Sequence, residues 1–317
     1  MTPEVTTIIP THDRRSMLRA ALASVLWQRD VEIEVMVVDD GSTDGTADFL
    51  ESVRDPGISV IRNDAPRGVS AARNCGVEHA RGYWVAFVDD DDVWAPDKLR
   101  RQLDAATSSG AQWGYAGAVN INLDLAIVGG RPPPGPTEVM STIGRYNNVP
   151  GGGSNVIVRR QLMEDVGSFD ERLYNTEDWE MWIRLAEMGI PACTDSPLVG
   201  YRVHDTNASL DWRRIIEGLA LIEARHGTRT DKGVIYRWLA ESSLRRGSRA
   251  QALSLMAKAS LKGETVGVLQ DITWIFRRRF GWYPRARGPE QQARSEYREQ
   301  ARTWLRELRG RLDSFPQ

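Results

Sequence analysis

Four short apolar runs alternate with helical patterns along the first hundred residues, and this alternation limits the fold more than any other feature of the chain. The runs cover residues 5–9, 33–38, 58–61 and 83–88, and β-branched and aromatic residues that favour strands are common in them. The last run is apolar throughout, as expected of a strand covered on both faces. Repeated strand–helix units of this length predict an α/β fold with a mostly parallel sheet and helices on both faces.

The strand pattern ends near residue 210, and helical patterns follow it. They span residues 212–224, 233–245, 249–261 and 266–276. We therefore predict an α/β unit over residues 1–210 and a C-terminal α-helical region over residues 211–317.

Residues 275–317 form a basic tail with eleven Arg, no Lys and five acidic residues. Its apolar residues recur at helical spacing and are Ala293, Tyr297, Ala301, Trp304, Leu305, Leu308 and Leu312. An amphipathic helix of this kind packs against its own domain or lies on a membrane surface or a partner. Packing within the chain is our main interpretation, and peripheral membrane contact through this basic helix is the alternative hypothesis.

Two segments in the second half of the predicted α/β unit are rich in glycine and proline. Residues 129–136 read GGRPPPGP, which excludes a helix or a central strand, and residues 151–153 are three consecutive glycines. We expect mobile loops here, and we expect the choice of acceptor to depend on residues 129–153.

The overall charge and the ends of the chain exclude several classes of protein. The net charge is −2, so we expect no nucleic-acid partner. The first residues lack the pattern of a signal peptide, and no apolar run approaches the length of a membrane span. Cys75 and Cys193 lie far apart and fit buried thiols in a reducing compartment. These features predict a cytoplasmic protein, with the inner face of the membrane as a second possible location.

Carboxylates follow the strand runs where a ligand is expected. Asp13 comes after the first run, Asp39 and Asp40 after the second, and residues 89–92 are four aspartates after the fourth. Ligands of parallel α/β sheets bind beyond the carboxyl ends of the strands, so these side chains should meet at one rim. Like charges so close repel unless a cation or hydrogen-bond donors offset them, which predicts Mg²⁺ or Mn²⁺. The alternative is a solvated loop in which Asp97 caps the next helix.

Several blocks of sequence, in order, resemble glycosyltransferase family 2, which has the GT-A fold. The blocks are TIIPTHDR (7–14), VVDDGSTDGT (37–46), GVSAARNCG (68–76), FVDDDDVW (87–94), FDE (169–171), EDWEMWIRL (177–185) and YRVH (201–204). The resemblance covers about residues 4–210. It implies a GT-A, Rossmann-like catalytic domain over residues 1–210, with the helical region following it.

The resemblance also implies a site for a nucleotide-diphosphate sugar, with a UDP-sugar as the favoured donor. Pro10, Thr11 and Asp13 would line the nucleoside pocket. Asp40 would accept a hydrogen bond from the base, and Arg73 would hold the base or the diphosphate.

A metal site is implied next to that pocket. Asp89 and Asp91 correspond to the outer members of the family's Asp-X-Asp motif. Asp91 would bind Mn²⁺ or Mg²⁺, and Asp89 or Asp90 would contact the ribose, with Asp89 as a further metal ligand. His204 is either another ligand or a structural histidine.

Asp178 is the candidate general base, because a carboxylate within reach of an acceptor hydroxyl can remove its proton as the new bond forms. Its alternative role is a carboxylate that caps a helix start. Glu177 and Trp179 are expected on the acceptor side. Of Trp179 and Trp182, one is expected to stack on an acceptor ring and the other to lie in the core.

The predicted reaction is a single displacement that transfers one sugar with inversion to a glycan, a lipid-linked or a small-molecule acceptor. The processive members' Gln-X-X-Arg-Trp motif is not found in the sequence. A non-catalytic nucleotide-sugar-binding module is one alternative. A nucleotidyltransferase of the same fold is another, although residues 10–14 lack the glycines of its phosphate loop.

Overall fold

A nine-stranded sheet forms the centre of the computed structural model, which describes residues 2–204, 211–245, 247–279 and 289–316. The strands are β1 (Val5–Thr11), β2 (Ile33–Asp39), β3 (Ile58–Arg62), β4 (Trp84–Phe87), β5 (Val93–Trp94), β6 (Trp113–Ile121), β7 (Ile127–Gly130), β8 (Ile157–Arg159) and β9 (Ala192–Arg202). Their order is β3-β2-β1-β4-β8-β6-β9-β5, and β7 pairs with β6.

The first four strands are parallel, as the sequence predicts. β1 lies between β2 and β4, with Thr11 opposite Asp39 and Ile8 opposite Phe87. The backbone N–H of Asp40 donates to Thr11 O over 2.8 Å, which holds the two strand ends together. The carboxyl ends of these strands therefore share one edge of the sheet, called the rim below.

The second half of the sheet is mixed and completes the rim. β8 is antiparallel to β4 and β6, whereas β9 runs parallel to β6 and antiparallel to β5. Because β5 follows β4 after only a few residues, its pairing with β9 brings Val93 opposite Gly200. The end of β9, at Arg202, is thereby placed beside the acidic segment that follows β4.

Helices cover the sheet on both faces. They are α1 (Arg15–Leu26), α2 (Thr46–Ser52), α3 (Val69–His79), α4 (Lys98–Ser109), α5 (Pro136–Thr142), α6 (Arg160–Val166), α7 (Glu177–Met188), α8 (Trp212–His226), α9 (Lys232–Arg245), α10 (Arg249–Ala259), α11 (Thr265–Arg279) and α12 (Pro289–Leu312). Asp97 stands at the N-cap position of α4, but its side chain makes no capping hydrogen bond, which does not support the alternative of a capping loop. It lies instead 3.5 Å from Arg101 Nη1, one turn along the helix.

The two glycine-rich segments are more ordered than the sequence suggests. Residues 127–130 form the edge strand β7, and Pro136 begins α5, where its missing N–H is no loss. Gly152–Asn155 form one turn of 3-10 helix in which Ser154 and Asn155 are fully buried. Residues 152 and 153 thus belong to a turn that is anchored by the buried side chains of Ser154 and Asn155, while the expected mobility of residues 151–153 stays a prediction.

Helix α12 packs against the sheet. Tyr297, Ala301 and Leu308 of this helix are buried in one apolar cluster with residues of β5, β6 and β9. Trp304 Nε1 donates to Pro197 O over 2.9 Å. The chain itself therefore covers the apolar face of this helix, as our main interpretation predicts, and the structure gives no support to the alternative of peripheral membrane contact through the basic helix.

The boundary predicted between residues 210 and 211 adjoins residues 205–210, which lie outside the described residues, and it stays a prediction. The helical region itself is present, and Ile215, Leu219 and Ile222 of α8 share an apolar cluster with α7. Among the helices that the structure describes, none has the length and hydropathy needed to cross a membrane. Cys75 and Cys193 are free thiols, and each is only partly buried.

Candidate active site

The rim gathers the predicted aspartates around two arginines, and Arg14 is the first of them. Its Nη1 atom lies 3.2 Å from Asp90 Oδ1 and 2.8 Å from Asp91 Oδ2. Thr11 Oγ1 donates to Asp90 Oδ2 over 2.8 Å. Burial and the charge of Asp91 raise the pKa of Asp90 to about 7, although Arg14 opposes them. Asp90 is thus tied to the end of β1, and Arg14 is a site residue that the sequence analysis did not single out.

Arg73 of α3 is the second arginine, and it connects the aspartates to α7. Nη2 donates to Asp89 Oδ1 over 2.6 Å, and Nη1 donates to Glu177 Oε1 over 2.8 Å. The side chain is almost completely buried. Burial lowers the pKa of Arg73, but the charges of Asp89 and Glu177 outweigh it, so the pKa is raised above its usual value. Glu177 is therefore buried against Arg73, and its expected place on the acceptor side stays a prediction.

Asp89, Asp91 and Asp92 form the tightest acidic group at the rim. One oxygen from each lies within 4.8 Å of the others. His204 Nε2 lies 2.9 Å from Asp91 Oδ2, so the segment that follows β9 places the histidine beside the acidic group. The structure thus brings together Asp89, Asp91 and His204, which the sequence analysis named, and adds Asp92.

Asp92 has a different environment from the other two aspartates. Its Oδ2 accepts from Ser154 Oγ over 2.5 Å, and its Oδ1 accepts from the backbone N–H of Arg202 over 2.7 Å. The backbone N–H of Asp89 donates to the same Ser154 Oγ over 3.0 Å. Burial and the charges of Asp91 and Asp89 raise the pKa of Asp92. Since both of its oxygens accept hydrogen bonds, Asp92 joins β9 and the 3-10 turn to the rim.

The acidic group fits a hard divalent cation. Its donors are carboxylate oxygens at close mutual distance, which Mg²⁺ and Mn²⁺ prefer. Burial and the neighbouring Asp91 raise the pKa of Asp89, and a cation would offset that like-charge repulsion. Asp89 and Asp91 are the residues that could hold the ion, with His204 beside Asp91.

The predicted nucleoside-pocket residues lie along the same edge. Pro10 is buried inside β1, opposite Val38. Asp13 has a left-handed backbone with φ of 50°, and its Oδ1 accepts from the backbone N–H of Thr43 over 2.6 Å. The segments that follow β1 and β2 are therefore linked directly above the sheet.

Asp40 fixes the loop that leads into α3. Its carboxylate accepts from Asn63 Nδ2 over 2.8 Å, from the Arg67 N–H over 2.9 Å and from the Gly68 N–H over 2.7 Å. The side chain is 4% exposed. Asp40 therefore holds this loop in place. Its contact with the nucleoside base, which the family resemblance implies, would be a second role.

Asp178 lies in the first turn of α7 and is partly exposed. Its Oδ1 accepts from the backbone N–H of Trp179 over 2.6 Å. Burial, followed by the charge of Glu177, raises its pKa to about 7; Arg73 lowers the pKa, and Asp89 adds to the rise. A carboxylate with a pKa in this range is suited to accept a proton near neutral pH.

Neither tryptophan of α7 is available to stack on a ligand. Trp179 is 4% exposed and its Nε1 donates to Ile143 O over 2.6 Å, while Trp182 is fully buried. The expectation that Trp179 contacts the acceptor is wrong, because both rings belong to the core that positions α7.

The sequence analysis assigned residues 129–153 a role in acceptor choice, but it did not predict the contacts that the 3-10 turn makes in the site. A Cβ at Gly153 would lie 2.5 Å from Arg73 Nη2, and one at Gly152 would lie 3.4 Å from Asp178 Oδ2. The signal was present as three consecutive glycines, but their contact with α3 and α7 depends on the tertiary structure.

The fold and the carboxylate-lined rim define a GT-A glycosyltransferase. The chain belongs to glycosyl transferase family 2, whose model matches residues 6–167, and a model for glycosyltransferase-like family 2 matches residues 140–241.

Two curated relatives and one solved structure illustrate the similarity. The succinoglycan biosynthesis protein ExoO of Rhizobium meliloti is 40% identical over 129 residues, 41% of this chain and 36% of that protein. The UDP-Glc:alpha-D-GlcNAc-diphosphoundecaprenol beta-1,3-glucosyltransferase WfaP of Escherichia coli is 30% identical over 207 residues, 65% of this chain and 79% of that protein. The match thus spans about a third of ExoO and most of WfaP.

The solved structure is the mannosyltransferase PcManGT from Pyrobaculum calidifontis in complex with GDP-Man and Mn²⁺. It aligns with a TM-score of 0.54 and 20% identity, over 98% of this chain and 85% of that chain. At this identity the likeness concerns the fold.

Proposed function

We propose that this glycosyltransferase moves a sugar from a UDP-sugar to a hydroxyl of a lipid-linked saccharide, with inversion and with a divalent cation. One observation carries the proposal: Arg73 pairs both with Asp89 of the acidic group and with Glu177, the residue that precedes the candidate base Asp178. A donor held at the acidic group would then have its reacting carbon close to a carboxylate that accepts protons near neutral pH.

The donor side rests on the rim. Asp89 and Asp91 would hold Mn²⁺ or Mg²⁺ against the two phosphates, with His204 orienting Asp91 or joining it as a ligand. Pro10, Thr11, Asp13 and Asp40 lie toward the nucleoside. A UDP-sugar as donor and a diphospholipid-linked sugar as acceptor are supported by the activity for which WfaP is named. Such an acceptor would place the reaction at a membrane surface.

Asp178 would act as the base in a single displacement. Its carboxylate takes the proton of the acceptor hydroxyl while the hydroxyl oxygen bonds to the anomeric carbon of the donor. The bond from that carbon to the diphosphate oxygen breaks on the opposite face, which inverts the centre and releases UDP. A bound divalent cation supplies positive charge that stabilises the departing diphosphate. Arg73 holds Asp89 through a hydrogen bond, and its positive charge lowers the pKa of Asp178.

The test is glucose transfer from UDP-Glc to an α-D-GlcNAc-diphospho-lipid, with Mn²⁺ or with a chelator, followed by determination of the anomeric configuration of the product. We expect a β-linked product that forms only with the metal. Retention of configuration, or full activity in chelator, would contradict the mechanism. Binding of UDP without transfer to any saccharide would favour the non-catalytic binding module instead.

A further inference from the structure

Gly151, Gly152 and Gly153, at the start of the 3-10 turn, each face a different neighbour. A Cβ at Gly151 would lie 3.3 Å from Ala118 Cβ and 3.4 Å from Val199 Cγ1, in the apolar core. At Gly152 it would meet Asp178 Oδ2 at 3.4 Å, and within the described part of the chain no other heavy atom lies within 4 Å of that position, apart from the neighbouring residues and the backbone of the 3-10 turn itself. Gly151 therefore faces the apolar core, whereas Gly152 faces the candidate base Asp178.

The third glycine lies on the donor side of the turn. A Cβ at Gly153 would come within 2.5 Å of Arg73 Nη2 and 3.5 Å of Asp89 Oδ1. Gly153 thus faces the acidic group, whereas Gly152 faces Asp178. One short turn therefore contributes to both halves of the site through adjacent residues.

The turn cannot shift easily to make room for a side chain, since its last two residues are held on several sides. Ser154 Oγ contacts Asp92 and the N–H of Asp89, and Ser154 O accepts from Trp94 Nε1 over 2.8 Å. The side chain of Asn155 donates to the carbonyls of Ala116 and Pro150, and it accepts from the Ala116 N–H. An atom added at Gly152 would therefore occupy the space beside Asp178 rather than displace the turn.

We propose that Gly152 determines acceptor access: the space over its Cα, beside Asp178 Oδ2, receives the sugar ring that carries the attacking hydroxyl. The inference rests on the proposed role of Asp178 as base, since the attacking hydroxyl must lie within hydrogen-bond reach of that carboxylate. A methyl group at this position would obstruct a sugar ring but leave room for water. It would also leave the donor side untouched, because Asp89 and Arg73 lie beyond Gly153.

The chain offers a matched control for this test. Gly151 and Gly152 both have left-handed backbones, with φ of 76° and 53°, so alanine strains each of them. Only at Gly152 does the added methyl face Asp178. Gly151→Ala therefore reports the cost of backbone strain and core contact without any change beside the base.

The experiment compares wild type, Gly152→Ala and Gly151→Ala in two reactions of UDP-Glc with Mn²⁺. One is transfer to an α-D-GlcNAc-diphospho-lipid, and the other is hydrolysis of the donor, in which water is the acceptor. For Gly152→Ala we expect the KM for the lipid acceptor to rise about tenfold or more and the ratio of transfer to hydrolysis at low acceptor concentration to fall with it, while the KM for UDP-Glc stays at the wild-type value. For Gly151→Ala we expect the ratio of transfer to hydrolysis to stay at the wild-type value.

Equal losses of transfer and hydrolysis in Gly152→Ala, or a raised KM for UDP-Glc, would overturn the inference by placing Gly152 in the donor site. An unchanged acceptor KM would overturn it as well. UDP-dependent thermal stabilisation checks that each variant is folded. Failure of the proposed function has a different signature: Asp178→Asn would then keep wild-type transfer, whatever the result for Gly152→Ala.

Discussion

Arg73 Nη2 lies 2.6 Å from Asp89 Oδ1, and this contact joins helix α3 to the end of the central strand β4. The same guanidinium also pairs with Glu177. Arg73→Ala would remove the guanidinium that pairs with both Asp89 and Glu177. Loss of one partner of such a buried ion pair typically costs about 3–5 kcal/mol of stability. Urea unfolding would measure the loss, with Arg54→Ala on the exposed surface as the control. A loss no larger than that of the control would show that the pair contributes little.

Asp178→Asn should lower transfer by about 10²- to 10⁴-fold, the usual contribution of a general base, while UDP-Glc still binds. Turnover and donor binding would be measured separately. Asp165→Asn is the control, because that aspartate is exposed on α6. Wild-type turnover in Asp178→Asn would remove this residue from the mechanism.

The activity should depend on pH through Asp178. Its pKa is raised to about 7, and the unprotonated form is the base, so kcat/KM should fall as the pH drops below about 7 and level off above it. The groups around it are Glu177, Arg73 and Asp89, and Arg73 stays charged throughout this range. A pH–rate profile from pH 5 to 9 would test this; if the residual activity of Asp178→Asn fell at the same pH, another group would be responsible.

Asp178→Asn should also change stability in a pH-dependent way. A carboxyl group whose pKa rises from 3.8 to about 7 on folding stabilises the protein at low pH, and that contribution is lost as the pH rises through 7. The neutral amide avoids this loss. We therefore expect the Tm of the variant, relative to wild type, to be higher at pH 8 than at pH 5. Equal differences at both values would mean that Asp178 titrates normally.

Asp91→Asn should remove cation-dependent donor binding. A ligand at about a hundred times its Kd stabilises a protein by roughly 2.7 kcal/mol, which a melting curve detects easily. We expect UDP with Mn²⁺ to raise the Tm of wild type and of the exposed-site variant Asp124→Asn, but not that of Asp91→Asn. A chelator should abolish the shift in all cases. A full shift in Asp91→Asn would place the cation elsewhere.

Trp304 lies in α12, the last helix, yet Trp304→Ala should destabilise the catalytic domain. The ring is 7% exposed and packs on Gly200 of β9, and truncation of such a buried ring costs about 3–5 kcal/mol. Leu253→Ala, at a side chain that is 64% exposed, should cost little. A single unfolding transition shifted in Trp304→Ala would show that α12 folds with the sheet, and an unshifted transition would contradict this.

The sequence by itself determined the parallel half of the sheet and the composition of the rim. Alternating apolar strands and helices leave few topologies, and aspartates that follow strands must reach the same edge. That is why the order of residues along the chain was enough to place Asp89, Asp91 and Asp40 at the same edge of the sheet. The family followed from the same blocks of sequence.

Only the tertiary structure decided how the groups pair. Glu177 contacts Arg73 over a separation of 104 residues, and His204 meets Asp91 over 113 residues. Local spacing carries no information on such contacts, because they depend on how β9 and α7 pack against the first sheet half. The same holds for Trp179, whose helical position suits either a ligand or the core. It holds also for the three glycines, whose close fit against Arg73 and Asp178 exists only once the chain has folded.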